Sequence, residues 1–227
     1  MNKRIALLYF SRQARVEAQE KTWFKGNATF KNRHLAKSLI EQSRKAIDES
    51  GFPVYHFHEG NQEGKTFGQR LANAYQELYD NGFDAVVSVG NDSPEIAQLD
   101  WGSIRSKLDS GKNVLGKSIR GGAYLLGINK ENFQKDAFQE LPWQSNRLFL
   151  NLYQQLNSAE NQVVELEVLR DLNTFFDLKK FHSAKKTNSS LKKLFAELLI
   201  IKAKFYFLIL SFISQNLRFA QLRAPPY

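Results

Sequence analysis

Short apolar runs alternate with longer amphipathic stretches along most of this chain, and the alternation predicts its elements. Arg4 to Phe10 (Arg-Ile-Ala-Leu-Leu-Tyr-Phe) reads as a buried strand. From Lys31 to Glu49 the apolar residues Leu35, Leu39, Ile40 and Ile47 recur at helical spacing, Gly51 closes the helix, and Pro53 to His58 is a second strand. A loop from Glu59 to Phe67 leads to Gly68-Gln69-Arg70-Leu71, the start of a helix with Leu71, Ala74, Tyr75 and Leu78 on one face and Asn81-Gly82 at its end. Ala85 to Val89 is apolar apart from one serine and is bounded by Asp84 and Gly90, as expected of a strand covered on both faces. Further strands are predicted at Asn113 to Leu115, Ala123 to Ile128 and Asn161 to Leu166. Helical segments fall at Ser103 to Leu108, Glu131 to Phe138 and Asn146 to Leu156, with another starting at Thr174. Strand and helix alternating in this way predict an α/β fold, a three-layer α/β/α arrangement around a mostly parallel sheet.

Charge changes the picture at one end only. Of 32 basic and 23 acidic residues, ten and one lie beyond Leu178, so residues 1–178 carry 22 of each. The excess of +9 therefore belongs to a basic, apolar tail on a neutral body, which argues against a nucleic-acid-binding domain. The expected division is an α/β domain over residues 1–180 and a helical C-terminal extension over 181–227. In the tail, Leu191, Leu194, Phe195, Leu198, Phe205, Ile209 and Phe212 recur at helical spacing. Its unbroken apolar run, Phe205 to Ile213, is too short to span a bilayer. Packing on the domain or a homodimer through residues 191–219 is the first expectation, and peripheral contact with an anionic membrane the second. With no cysteine, there is no disulfide and no thiol nucleophile. Met1 to Phe10 lacks the core and cleavage site of a signal peptide, so a cytoplasmic location is expected.

Candidate chemistry gathers after the third strand. Gly90-Asn91-Asp92-Ser93-Pro94 places a turn, a carboxylate and a strand stop at a carboxyl end, where open α/β sheets bind ligands. Capping is the commoner use of such an aspartate. Ser11 to Thr29, polar and carrying Arg12, Arg15, Lys21 and Lys25, is too long for an ordinary connection and reads as a functional or partly ordered loop. His56 and His58 share a strand face but lack a third ligand nearby, so a half-buried face is the simpler reading. There is no dinucleotide-binding glycine fingerprint and no P-loop.

Five segments in order resemble a known family: Gly68-Gln69-Arg70-Leu71, Gly90 to Pro94, Arg120-Gly121-Gly122-Ala123-Tyr124-Leu125-Leu126-Gly127, Pro142-Trp143, and Leu169-Arg170-Asp171-Leu172-Asn173-Thr174 with Asp177-Leu178. The chain is similar in these to type A glycosyltransferase-like proteins of the nucleotide-diphosphosugar transferase superfamily, often found beside radical-SAM and selenium-domain proteins. The resemblance covers about Arg4 to Lys180 and implies transfer of a sugar or nucleotidyl group from a nucleotide or nucleotide-sugar. It implies Asp92 and Asp171 as catalytic, metal-side ligands for Mg²⁺ or Mn²⁺, the metal acting as a Lewis acid on the diphosphate. It further implies ligand contacts at Arg15, Arg70, Ser93, Arg120, Gly121, Gly122, Tyr124 and Trp143.

The departures matter as much. The first loop keeps only Arg15-Val16 of the family's Pro-Gly-Arg-Val-Lys-Thr-Arg, Arg120 replaces an acid, and Asn173 replaces the second acid of the late motif. An inward Arg120 at ~6 Å from a divalent ion would repel it by about 5 kcal/mol at an effective dielectric of ~20. Three readings of Arg120 are open: it repels the metal, it takes the metal's place on the phosphates, or it faces solvent beside a decayed site. The alternative to an active transferase is thus a catalytically degenerate relative that survives as a binding or scaffold module. Trp143 and Tyr124 each admit a ligand contact or a core position, and Arg70, unfavourable at a helix start, needs a ligand or carboxylate partner.

Overall fold

The computed structural model describes residues 2–21, 23–26, 28–158, 161–183 and 191–199. Six strands, β1 (Ile5–Phe10), β2 (Val54–Phe57), β3 (Ala85–Val89), β4 (Asn113–Ser118), β5 (Ala123–Asn129) and β6 (Val163–Leu169), form one sheet in the order β2-β1-β3-β5-β4-β6. Five run parallel, and β5 alone is reversed between β3 and β4. A short turn, Ser118 to Gly122, leaves no room for a crossover between β4 and β5, so they can only pair antiparallel.

Side-chain alternation on the strands builds two cores. Ala6, Leu8 and Val86 face α3 (Phe67–Asp80), α5 (Lys135–Gln139) and α6 (Leu148–Leu156). Ile5, Leu7, Val87 and Val89 face the other way, toward Ala46 and Ile47 of α2 (Thr29–Asp48) and Ile104 and Leu108 of α4 (Trp101–Asp109). This is the three-layer α/β/α architecture. α3 starts with a full capping box: Thr66 accepts from the Gln69 N–H, and the Gln69 side chain accepts from the Thr66 N–H.

Two segments depart from expectation. The helix expected from Glu131 to Phe138 is divided into a 3-10 turn, Lys130–Asn132, and α5. Phe133 lies between them and packs among Tyr75, Tyr79 and Phe138, which fixes the break. The polar stretch after β1 contains a helix, α1 (Ala14–Glu20), and β6 runs three residues further than its apolar pattern suggests.

A third cluster lies outside the sheet layers. Trp23 and Phe24 pack with Leu35 and Leu39 of α2, and with Leu178 and Phe181 of α7 (Phe175–Ser183). A further helix, α8 (191–199), adds Leu191, Phe195 and Leu198, and the Leu198 carbonyl accepts from Lys31 Nζ. The remainder of the tail, including Phe205 to Ile213 and the surface expected at 191–219 past α8, lies outside the described residues. Among the described residues no helix is long and apolar enough to cross a membrane.

Gly68 gives a test of the packing. A Cβ there would sit 2.2 Å from the Gln139 carbonyl oxygen and 2.6 Å from the Trp143 ring. Gly→Ala inside a helix ordinarily gains about 1 kcal/mol. Here Gly68→Ala should lose about 1–3 kcal/mol as α3 and the 139–143 segment are forced apart. Denaturant unfolding measures this, and an unchanged or raised midpoint contradicts the close packing.

Candidate active site

The carboxyl ends of β1, β3, β4 and β6 and the start of β5 surround a cavity of about 610 Å³. Each wall follows from local sequence. β3 ends at Gly90, and the Asn91-Asp92-Ser93 turn leads into a 3-10 turn begun by Pro94. β4 shifts register against both neighbours beside Gly116, a bulge before Ser118 reaches the cavity wall. The end of β6 is tied to the β3 turn: Leu172 N–H donates to the Asp92 carbonyl at 2.8 Å, Arg170 N–H to Glu95 at 3.0 Å, and Ser93 Oγ to Asp171 Oδ1 at 2.9 Å.

The structure brings Asp92, Asp171, Arg70, Ser93, Arg120, Gly122, Tyr124 and Trp143 to this one cavity. Arg15 is exposed on α1 and does not line it; Arg12, in the segment between β1 and α1, does. Gly121 also lies off the lining. With φ +84° and a would-be Cβ 2.1 Å from the Asn146 carbonyl oxygen, it is the close-approach point where the β4–β5 turn meets the start of α6. Tyr124 spends its hydroxyl on the Glu167 carbonyl and its ring on covering Gly116. Trp143 donates its indole N–H to the Phe138 carbonyl and packs edge-on against Phe138, so it serves as a wall. Arg70 Nη1 donates to the Lys65 carbonyl at 3.3 Å, satisfying part of a cation placed against the helix dipole.

Arg120 is held in place by an acid. Its Nη2 reaches both oxygens of Asp177, at 2.6 and 2.8 Å, from a position about half exposed at the rim. Asp177 also accepts from the N–H groups of Asn173 and Thr174 and from the Thr174 hydroxyl, which caps α7. The guanidinium thus neutralises a fixed carboxylate at the cavity mouth.

The cation at the centre is Lys21, one of four basic residues in the polar stretch after β1. Its Nζ lies 2.8 Å from Asp92 Oδ1 and 3.4 Å from Glu17 Oε1, and it donates to Asn173 Oδ1. Its side chain is 11 % exposed and that of Glu17 is 3 % exposed, whereas Asp92 opens to the cavity at 41 %. Glu17 and Lys21 are one helical turn apart, which aligns them. Trp23, buried and donating to the Leu172 carbonyl at 2.6 Å, anchors the chain two residues on. Burial opposes the charge of Lys21, but Asp92 and Glu17 outweigh it and raise its pKa above the ordinary lysine value. Burial raises the pKa of Glu17, with Asp92 adding to the effect. Asp171 is also raised, by burial first and by Asp92, against the opposing influence of Ser118, Ser93 and Lys21.

The cradle does not fit a divalent ion beside this lysine. The three side-chain oxygens that converge do so on the ammonium, and among the described residues no group of three or more His, Cys, Asp or Glu is arranged to hold a metal. A doubly charged ion at ~4 Å from Nζ would be repelled by about 8 kcal/mol at an effective dielectric of ~20. His56 and His58 offer no substitute. His56 is occupied by Ser11 Oγ at 2.9 Å and Arg44 Nη2 at 3.2 Å, and the Gly60 N–H donates to His58 Nδ1.

The mostly parallel sheet with a polar cavity over its carboxyl ends is an open α/β arrangement, and one solved structure shows that its fold is nucleotide-diphospho-sugar transferase-like. A crystal structure of a proposed nucleotide-diphospho-sugar transferase from Desulfovibrio desulfuricans G20 superposes with a TM-score of 0.72 at 20% identity, covering 86% of this chain and 95% of that one. A homologue of Mycobacterium tuberculosis Rv0371c from Mycobacterium sp. strain JC1 gives 0.44 at 12% identity over 79% and 96%. Rv0371c itself, solved in complex with manganese, gives 0.37 at 11% over 78% and 97%; both are too distant to inform this site. Residues 34–145 match a family described as "Uncharacterized protein conserved in bacteria (DUF2064)". That span holds Asp92, Arg120 and Trp143 but neither Lys21 nor Asp171. No curated protein matches the chain in sequence.

The raised pKa of Asp171 sets a sign. The folded state binds its proton more tightly than the unfolded chain, so stability falls as pH rises from the ordinary aspartate range through the raised value. Asp171→Asn keeps an acceptor for Ser93 and removes the ionisation. Its Tm relative to the natural chain should therefore climb as pH rises from the ordinary aspartate range, as calorimetry can record; a difference that is flat or shrinks contradicts the burial argument.

Proposed function

We propose that this chain is a transferase of the type A glycosyltransferase-like class, binding the diphosphate of a nucleotide or nucleotide-sugar over the end of β3. The observation that carries the reading is the cluster of Lys21, Arg12, Asp92 and Asp171 on one cavity at the carboxyl ends of the strands. In the proposed reaction an acceptor hydroxyl attacks the anomeric carbon of the donor sugar. The bond from that carbon to the diphosphate oxygen breaks, and the nucleoside diphosphate leaves with the electron pair. Lys21 and Arg12 offset the charge gathering on the leaving group. Asp92 holds the ammonium in place, and Asp171, steadied by Ser93, accepts the acceptor's proton. Gly122 leaves room for a ligand to approach the backbone, and Trp143 bounds the space a base or sugar would fill.

A second reading, a module that binds nucleotide without turning it over, is favoured by the Arg120–Asp177 pair, which ties up a cation at the mouth. Peripheral membrane contact would rest on the basic tail, most of which lies outside the described residues. The two main readings separate on turnover of a bound nucleotide-sugar.

Binding itself is tested by thermal shift against a panel of nucleotides and nucleotide-sugars. A ligand at about 100 times its Kd stabilises the fold by about 2.7 kcal/mol, a shift of several degrees for a chain of this size. Asp92→Ala should abolish that shift while leaving the unliganded protein folded. An unchanged shift in the variant would place the ligand elsewhere and sink the assignment.

A further inference from the structure

We propose that the ammonium of Lys21 is the resident cation of this site, standing between Asp92 and Asn173 where a divalent ion would otherwise bridge protein and diphosphate. The inference rests on the proposed diphosphate site and specifies its chemistry: the diphosphate is held with no divalent metal.

Three observations converge on Lys21. First, its Nζ is shared by oxygens from three separate segments: Glu17 on α1, Asp92 after β3 and Asn173 after β6. Oxygen donors closing on one point from separate segments is the arrangement a hard metal ion needs. Here the point is filled by a side chain. Second, the position is built into the fold. Lys21 is the C-cap of α1, its N–H donates to the Glu17 carbonyl, and Trp23 is locked to Leu172. Third, the partners of the neighbouring charged groups agree with one another. Asn173 brings a neutral oxygen, so the ammonium meets Asp92 and Glu17 as its two close acids, and Arg12 at 3.9 Å from Glu17 shares the second of them. Arg120, the other candidate for this role, is committed to Asp177.

The three donors of the ammonium already face three oxygens, so a ligand would meet its charge at the cavity wall or take over the longest contact, the 3.4 Å one to Glu17. Asp92 is open to the cavity, and Lys21, Arg12 and Asn173 line it together. An incoming diphosphate would meet Lys21 and Arg12 as two fixed positive groups, one compact and one forked.

The test titrates Mn²⁺ alone, counting free ion by its electron paramagnetic resonance signal, into the natural chain, Lys21→Met, Lys21→Gln and Lys21→Met/Asp92→Asn. The natural chain should show no stoichiometric site. At least one folded Lys21 variant should gain a single site, tighter by about tenfold or more and lost again with Asp92→Asn. A natural chain that binds one Mn²⁺ as tightly as the variants overturns the proposal. So do folded variants that gain no site, because the lysine then stands where no metal would go. If both Lys21 variants fail to fold, the natural chain against Asp92→Asn decides: an Asp92-dependent Mn²⁺ site in the natural chain overturns the proposal, and none supports it.

A second arm uses UDP, GDP, CDP, ADP and dTDP, with EDTA or with Mn²⁺. At least one should bind in EDTA, and Lys21→Gln should weaken it about tenfold or more. Binding that requires Mn²⁺ overturns the resident-cation inference while the proposed function stands. No binding under either condition removes the proposed function, and the metal titration then judges Lys21 by itself.

Discussion

Asp92 joins the two halves of the site. Its carbonyl accepts the Leu172 N–H, which fixes the end of β6 to the end of β3, and its carboxylate holds the Lys21 ammonium at the end of α1. β3 can carry this load because it is buried on both faces and hydrogen-bonded on both edges, to β1 and β5. Remove the carboxylate, and Lys21 keeps only Glu17 and a neutral amide in a nearly closed pocket. The charges around the cavity are thus paired: Lys21 and Arg12 against Asp92 and Glu17, Arg120 against Asp177.

That pairing bears on positions 120 and 173, where the family resemblance implies acids. With acids at positions 120 and 173 the cavity would hold a surplus of negative charge and would call for a multivalent cation. With Arg120 and Asn173 in their place, the surplus is gone, and a lysine is sufficient. Both residues have partners in the fold: Arg120 pairs with Asp177, and Asn173 accepts from Lys21.

Much of the fold was legible because it rests on local pattern. The apolar run Ala85 to Val89 and the helical spacing of Leu71, Ala74, Tyr75 and Leu78 mark elements whose burial follows from their own residues. Glycine and proline after β3 likewise mark a turn at a carboxyl end. The centre of the site was less legible, since its contacts join residues far apart: Lys21 and Asn173 are 152 positions from each other, and Arg120 and Asp177 are 57. No periodicity encodes such pairs. The available signal was local and small, a Glu17–Lys21 spacing of four beside a tryptophan in a loop of unusual length. Family likeness pointed to Arg15, yet Arg12, in the short segment between β1 and α1, lines the cavity instead.

The account turns on which cation meets the diphosphate. A crystal structure grown with a nucleoside diphosphate and excess Mn²⁺, with anomalous data at the manganese edge, addresses that directly. The account predicts diphosphate oxygens against Lys21 and Arg12, and no anomalous peak between Asp92 and Asn173. A manganese peak bonded to Asp92 with Lys21 displaced, or a nucleotide bound away from the end of β3, would contradict it.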